Sequence, residues 1–354
     1  MVPAYGLLAW QPPNHLNPGA IPFVDGSLEP MGSAMRFRNL TLLLGLGLLA
    51  MPAAAREGKN PPSLALHEKY RQIIVARAIE PVGDDAYRFK TLKNLWRKAP
   101  KELTLRMTAE TAEGLQPGEK YIVGFTEHQK VRFPGLSGRD PEGPRVVRIP
   151  QTEDAVFEYS RTLRRMITWE HANKKLSPKK LLSMATRLLA SQDPAVQRFA
   201  ASEISQRQLL DLAGSQKRID QVEAFVRNPA NEGNARNLLL LTAGRLPAEN
   251  RAWRVDVARQ LVADTALPLD PTGLEAGLVR MSLKILEKEG TSEDAGGIER
   301  WLIGNHGPVA EAAVIALEVL TPETVAQAVR KALERGDLHK DVRFVLELRL
   351  KRMT

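Results

Sequence analysis

The chain has 354 residues, is 43% hydrophobic and 26% charged, carries a formal net charge of +9 and contains no cysteine. That composition belongs to a folded chain rather than a disordered one, and the length allows one large or two ordinary domains with real cores. The missing thiols exclude disulfides, cysteine nucleophiles, thiolate metal sites and a cysteine-linked lipid anchor.

Residues 1–34 hold six prolines, four glycines and only the charges Asp25 and Glu29, so they offer no apolar period from which to build a core. At Met35 the pattern changes. Arg36 and Arg38 precede a mostly apolar run from Leu40 to Met51, followed by Pro52, Ala53, Ala54 and Ala55. Basic, apolar and small residues in that order form the plan of a secretory signal peptide over 35–55, with Ala53 and Ala55 fitting the peptidase and cleavage expected after Ala55. A retained anchor and a buried helix are the alternatives, although the run is shorter than the roughly twenty apolar residues a spanning helix needs. The expectation is that Met35 is the initiator and that residues 1–34 are an upstream extension, mis-assigned or disordered. The mature chain is then periplasmic or secreted, with no stable transmembrane span.

Residues 64–159 speak in short β-type runs. "YRQIIVARAIEPV" from Tyr70, "AYRFKTLKNLW" from Ala86, "ELTLRMT" from Glu102, "KYIVGF" from Lys120, "RVVRI" from Arg145 and "AVFEY" from Ala155 are rich in branched and aromatic residues. Asp84 and Asp85, Pro117 and Gly118, and the cluster from Pro134 to Pro144 separate them. Such a series suggests a small closed or half-closed barrel. The Leu92–Lys93 step, the Pro117–Gly118 turn and the strand led by Tyr121 resemble the OB-type barrel of the netrin and tissue-inhibitor-of-metalloproteinase superfamily. The amino-terminal cysteine with which those inhibitors chelate zinc is absent here, so the resemblance does not imply inhibition of that kind.

From about Tyr159 the period becomes helical. Val309, Ala312, Ala313, Ala316, Leu317 and Leu320 form one stripe, and Val325, Ala328, Val329, Ala332 and Leu333 repeat its offsets after Pro322, with Thr321 as the expected cap. Alanines alternating with larger residues suit closely packed antiparallel helix pairs. An internal repeat is also visible. "DPAVQRFAASEI" from Asp193, "HGPVAEAAVIAL" from His306 and "HKDVRFVLELRL" from His339 align Val196, Ala200 and Ile204 with Val309, Ala313 and Leu317 and with Val342, Leu346 and Leu350, at spacings of 113 and 33 residues. Degenerate copies fall around Ala235 and Leu274. The stretches resemble HEAT-type repeats, Asp341, Val342 and Arg343 matching the motif best and Gln197 replacing its arginine after Val196. Residues 160–354 are therefore expected to be a HEAT-like helical solenoid, with an irregular bundle as the alternative. The fold class expected for the whole chain is α+β and multidomain.

Positive charge is concentrated in two segments. Arg88, Lys90, Lys93, Arg97, Lys98, Lys101 and Arg106 face Glu102 alone, and Arg161, Arg164, Arg165, Lys174, Lys175, Lys179, Lys180 and Arg187 face Glu170 alone. Clustered cations bind phosphates or carboxylates, whereas a solvated face that keeps the chain soluble needs no ligand. The candidate ligand-binding residues are Lys90, Lys93, Trp96, Arg97, Lys98, Lys101, Arg161, Arg164, Arg165, Trp169, Lys174 and Lys175. The two tryptophans could stack on sugars or bases, or serve as interface or core aromatics. His67, His128, His171, His306 and His339 have no neighbours at metal-ligand spacing, and surface or capping roles suit them. Ser137 in "GLSGRD" lacks the strand and helix setting of a nucleophile elbow, and no phosphate-binding loop or dinucleotide fingerprint is present. No cofactor, metal or catalytic set is expected, leaving only a hydrolase assembled from distant residues as an enzymatic alternative. The sequence points to a non-enzymatic binding or scaffold protein of the cell envelope whose partner is another envelope protein or an anionic envelope polymer. An enzyme accessory or inhibitor module is the alternative. A nucleic-acid binder is the other, if the chain is not exported.

Overall fold

The structure is a computed structural model that describes residues 60–130, 137–139, 142–149, 154–171, 176–270 and 273–353. The expected leader, its cleavage residues Ala53 and Ala55, and Lys174 and Lys175 lie outside the described residues. The chain is α+β, a closed five-stranded barrel followed by a helical region.

A single helical turn, α1 (Pro62–Ala65), leads into the barrel. Its five strands are β1 (Arg71–Pro81), β2 (Ala86–Trp96), β3 (Glu102–Arg106), β4 (Lys120–Thr126) and β7 (Arg145–Val146), and β8 (Val156–Glu158) adds a sixth strand to the same sheet. A small hairpin of β5 (His128–Lys130) and β6 (Ser137–Arg139) projects between β4 and β7, and a short helix, α2 (Ala109–Gly114), joins β3 to β4. The sequence pattern announces the six strands of the main sheet but neither the hairpin nor α2. Ser137 opens β6.

Closure comes from β1, which pairs antiparallel with β2 along one edge and with β4 along the other. Three register shifts interrupt its pairing with β2, between Ile73 and Ile74, Val75 and Ala76, and Ala78 and Glu80. Bulges of this kind bend and twist a strand, which lets one long strand serve both edges of a tight barrel. The ring is completed by β2 with β3, β3 parallel to β7 at Arg106 and Arg145, and β7 antiparallel to β4. Farther along the same edge of β4, β8 pairs with Tyr121, Ile122 and Val123.

Two glycines are needed where they stand. Gly118, at φ +88°, follows Pro117 in the turn closed by the Glu119 N–H donating to the Gln116 carbonyl at 3.2 Å; a type II turn requires positive φ at that place. Gly124 in β4 lies against Leu66, Val147 and Ala155, so that a β-carbon there would come 2.6 Å from Leu66 Cδ2.

Burial along β1 and β4 does not alternate. Ile73, Ile74, Val75 and Ala76 are all buried, as are residues 121–125. A strand covered on both faces reads as a continuous apolar run. One face of these strands lines the barrel, and the other lies within a core shared with the helices. Phe157 of β8 meets Phe199 edge to face, ring centroids 5.4 Å apart. Apolar packing runs unbroken from Ala65 to Leu346.

The helices are α3 (Arg161–His171), α4 (Pro178–Leu188), α5 (Pro194–Gln206), α6 (Leu209–Ala213), α7 (Gln216–Arg227), α8 (Gly233–Ala243), α9 (Ala248–Asp264), α10 (Glu275–Glu289), α11 (Ala295–Glu299, continuing as a 3-10 turn to Ile303), α12 (Gly307–Leu320), α13 (Val325–Leu333) and α14 (Lys340–Met353). They stack in two rows. One row runs α5, α8, α10, α12, α14 and the other begins α4, α7, α9, α11, while α4 with α5, α7 with α8, α9 with α10, α11 with α12 and α13 with α14 form the pairs. The three aligned sequence copies are helices of the first row. Asp193 caps α5, accepting from the Ala195 N–H at 2.8 Å, His306 immediately precedes α12, and His339 precedes α14. Val196, Ala200, Ile204, Val309, Ala313, Leu317, Val342 and Leu346 are all buried, and Leu350 is half-buried. The degenerate copies fall on α8 and at the start of α10.

Ion pairs cross between neighbouring helix pairs. Arg198 meets Glu232 at 3.4 Å, Arg259 meets Asp294 at 2.7 Å and Arg349 meets Glu311 at 2.9 Å, each across roughly one repeat, whereas Arg254 of α9 pairs with Glu289 of α10 inside one pair. One expected cap is displaced. Thr321 ends α12, with its hydroxyl donating to the Leu317 carbonyl, and α13 starts only at Val325 after Thr324, because the Pro322 segment forms a turn whose N–H groups return to the Thr321 carbonyl.

Candidate functional site

The two basic segments land in different settings. Lys90, Lys93, Arg97, Lys98 and Lys101 are exposed on β2 and the β2–β3 turn. That turn is held by its own backbone: Asn94 Oδ1 accepts from the Ala99 N–H at 3.0 Å and Thr91 Oγ1 donates to the Pro100 carbonyl at 2.7 Å. Nearby, Arg88 pairs with Glu80 and Arg106 with Glu142, so two cations of this segment are matched within the barrel. Trp96 is half-buried, meets His67 edge to face at 5.4 Å and packs against the core, with the Arg97 guanidinium 5.8 Å from its ring centroid.

The junction segment builds a cleft. In α3, Ser160 Oγ accepts from the Leu163 N–H at 3.0 Å and so caps the helix start. Leu163, Met166 and Ile167 are buried, which turns Thr162, Arg165 and Trp169 onto one flank at i, i+3 and i+7. Helix α4 starts with Pro178 after Ser177, buries Leu181, Leu182, Met184, Ala185 and Leu188, and presents Lys180, Ser183 and Arg187 at the same spacing. The two flanks enclose a cavity of about 240 Å³ lined by these six residues and Met184.

The electrostatics of this cleft are one-sided. No carboxylate lines it among the described side chains, of which Glu170 is not one. The Trp169 ring holds two of the cations instead, with the Arg165 guanidinium 4.5 Å and the Lys180 ammonium 4.3 Å from its centroid. A ring quadrupole attracts a cation without cancelling its charge. From α7, Arg218 reaches across to donate to Ser183 Oγ at 2.8 Å and Thr186 Oγ1 at 3.1 Å. Of the remaining junction candidates, Arg161 is exposed at the first position of α3, and Arg164 donates to the Tyr159 hydroxyl at 3.2 Å. Sequence reasoning counted Lys180 and Arg187 among the junction cations but did not single them out, and it missed Thr162, Ser183, Met184 and Arg218. The repeated i, i+3, i+7 spacing was the available signal.

A second polar cluster is buried and structural. Glu203 of α5 is fully buried, accepting from the Ser63 N–H at 2.6 Å and from Arg207 Nε at 2.7 Å, while Arg207 also donates to Ser63 Oγ at 2.9 Å. Burial raises the Glu203 carboxyl above its ordinary value, against the pull of Arg207 and the Ser63 N–H. The cluster fastens the segment before the barrel to the helices.

The histidines take local roles. His67 Nδ1 lies 2.7 Å from the Ser63 carbonyl, His128 stacks on Tyr70 at 4.5 Å, and His339 Nδ1 accepts from the Asp341 N–H at 3.3 Å near the start of α14. Among the described residues there is no group of three or more potential metal ligands, and no helix is long and apolar enough to cross a membrane. No protein-family model, curated protein or solved structure matches the chain.

Proposed function

We propose that this chain is a non-enzymatic binding protein of the cell envelope that holds an anionic ligand, an envelope polymer or the acidic surface of a partner protein, in the cleft between α3 and α4. The observation that carries this reading is the cavity itself, in which Arg165 and Lys180 lie over the Trp169 ring and Arg187 shares the lining, with no lining carboxylate among the described side chains. Uncompensated cations on fixed helices give a standing positive potential. The exposed lysines and Arg97 of the barrel extend that potential as an outer basic surface. Export follows from the leader pattern at 35–55, and it directs the search toward envelope ligands.

The architecture supports a binding role. Strand order 1-2-3-7-4-1, with β3 parallel to β7 and a helix between β3 and β4, favours an OB-type barrel. Two rows of antiparallel pairs at intervals of about 35 residues favour a HEAT-type array, whose extended surfaces commonly receive other macromolecules.

The test is binding of polygalacturonate and of polyphosphate to the full chain at stepped salt, compared among wild type, R165E/K180E and K93E/R97E/K98E. Salt-sensitive binding abolished by R165E/K180E and only weakened by the barrel variant is expected. Binding that is absent, or indifferent to both variants, sinks the proposal.

A further inference from the structure

Resting on the binding reading above, we infer that the group seated between α3 and α4 is a phosphate-type oxyanion, free phosphate or a phosphomonoester. The cleft offers donors almost exclusively. Arg165 and Arg187 bring guanidiniums, which pair with oxyanions through two parallel hydrogen bonds, and Lys180 brings an ammonium. Ser183 adds a donor of fixed sense: its oxygen already accepts from Arg218 at 2.8 Å, which leaves the hydroxyl hydrogen to be given to a ligand. Thr162 supplies a second hydroxyl on the opposite wall.

Charge and shape both favour phosphate over carboxylate. Three cations line the cleft with no carboxylate among the described side chains, and a phosphomonoester carries a charge of about −1.5 to −2 on three acceptor oxygens at neutral pH. A carboxylate brings a single charge on two coplanar oxygens, too few for donors arriving from two helices. Holding Arg165 and Lys180 against the Trp169 ring fixes their positions before the ligand arrives, so less side-chain freedom is lost on binding. A cavity of about 240 Å³ has room for about eight waters. That accommodates the oxyanion together with a sugar or glycerol moiety.

The experiment is calorimetric titration of the full chain with inorganic phosphate, glucose 6-phosphate and malonate, the last being a dicarboxylate dianion of comparable charge, followed by flotation with phosphatidate vesicles. Phosphate or glucose 6-phosphate binding at least about tenfold tighter than malonate, and weakened at least about tenfold in R187A and in K180A, is expected from the loss of one charge-assisted contact. Both side chains are exposed, so neither truncation threatens the fold. Vesicle binding released by excess glucose 6-phosphate assigns the source as a lipid headgroup; glucose 6-phosphate binding without vesicle binding assigns a soluble phosphomonoester. Malonate binding as tight as phosphate, or phosphate binding indifferent to both variants, overturns the inference. If no small anion binds while the polyanions still do, the phosphate assignment fails and the anion-binding reading survives. If nothing binds, both fail.

Discussion

Replacing Glu203 tests whether the buried cluster at Ser63 fastens the barrel entrance to the helices. In Glu203→Ala the Ser63 N–H loses an acceptor at 2.6 Å, Arg207 loses the carboxylate at 2.7 Å, and a small void opens in α5. Removing one member of a buried, hydrogen-bonded ion pair costs about 3–5 kcal/mol. At about 2–4 °C per kcal/mol for chains of comparable size, the melting temperature falls by roughly 6 to 20 °C. Glu203→Gln keeps an oxygen for the Ser63 N–H and loses mainly the charge, so its cost is smaller, about 1–2 kcal/mol. The pH dependence adds a second readout. Because burial holds the Glu203 carboxyl above its ordinary value, its contribution is complete below the unfolded-state carboxylate pKa and declines as pH rises through the raised native value. Glu203→Gln removes that decline. Urea denaturation across pH gives both numbers, and tryptic cleavage at Lys69 and Arg71 reports whether the entrance segment has come loose. A Glu203→Ala chain within about 1 kcal/mol of wild type, with Lys69 and Arg71 still protected, would refute the reasoning.

Three further outcomes follow from the packing and the charge pairs. Trp301 is fully buried with its indole N–H donating to the Val262 carbonyl at 3.1 Å, so Trp301→Ala should cost about 3–5 kcal/mol in a urea titration and Trp301→Phe less. Gly124→Ala forces a β-carbon against Leu66 Cδ2 and should cost about 1–3 kcal/mol, recovered in part by trimming the neighbour in Leu66→Ala/Gly124→Ala. Burial opposes ionisation of Asp294, but hydrogen bonds from Arg259 and the Thr291 N–H outweigh it and hold the carboxyl below its ordinary value. Its stabilisation is present above the unfolded-state pKa and lost as pH falls through the lowered native value, so Asp294→Asn should flatten the acid limb of a stability profile and leave the rest of its shape unchanged.

The strands were legible because β1, β2 and β4 carry compact runs rich in branched and aromatic residues, and turn residues such as Asp84 and Asp85, and Pro117 and Gly118, separate the runs. The hairpin of β5 and β6 was not, since its strands HQK and SGR carry no branched residue and no Phe, Tyr or Trp, whereas the similarly short β7 and β8 lie within the apolar runs at Arg145 and Ala155. The helical copies at Asp193, His306 and His339 were visible because the buried Val, Ala and Leu or Ile positions recur at fixed offsets. Glu232 heads α8 with its side chain accepting from the Ala235 N–H at 2.6 Å. It does the work of Asp193 with a different residue, which is why that copy looked degenerate.

By itself the sequence determined the order of a β region and a helical region, the period of the helices, the absence of thiol chemistry and the two concentrations of positive charge. Local periodicity and composition carry all of these, because they depend on residues close together along the chain. Which cations share a cavity was decided only by tertiary structure. Arg165 and Arg187 stand on different helices and line one cavity because α3 and α4 both bury their apolar stripes in one core, while Lys93 and Arg97 remain exposed on and just after β2. The covering of β1 and β4 on both faces and the meeting of Ser63 with Glu203 are settled in the same way. Each depends on packing between segments distant in sequence, and the free energy of such contacts is not encoded in either segment alone.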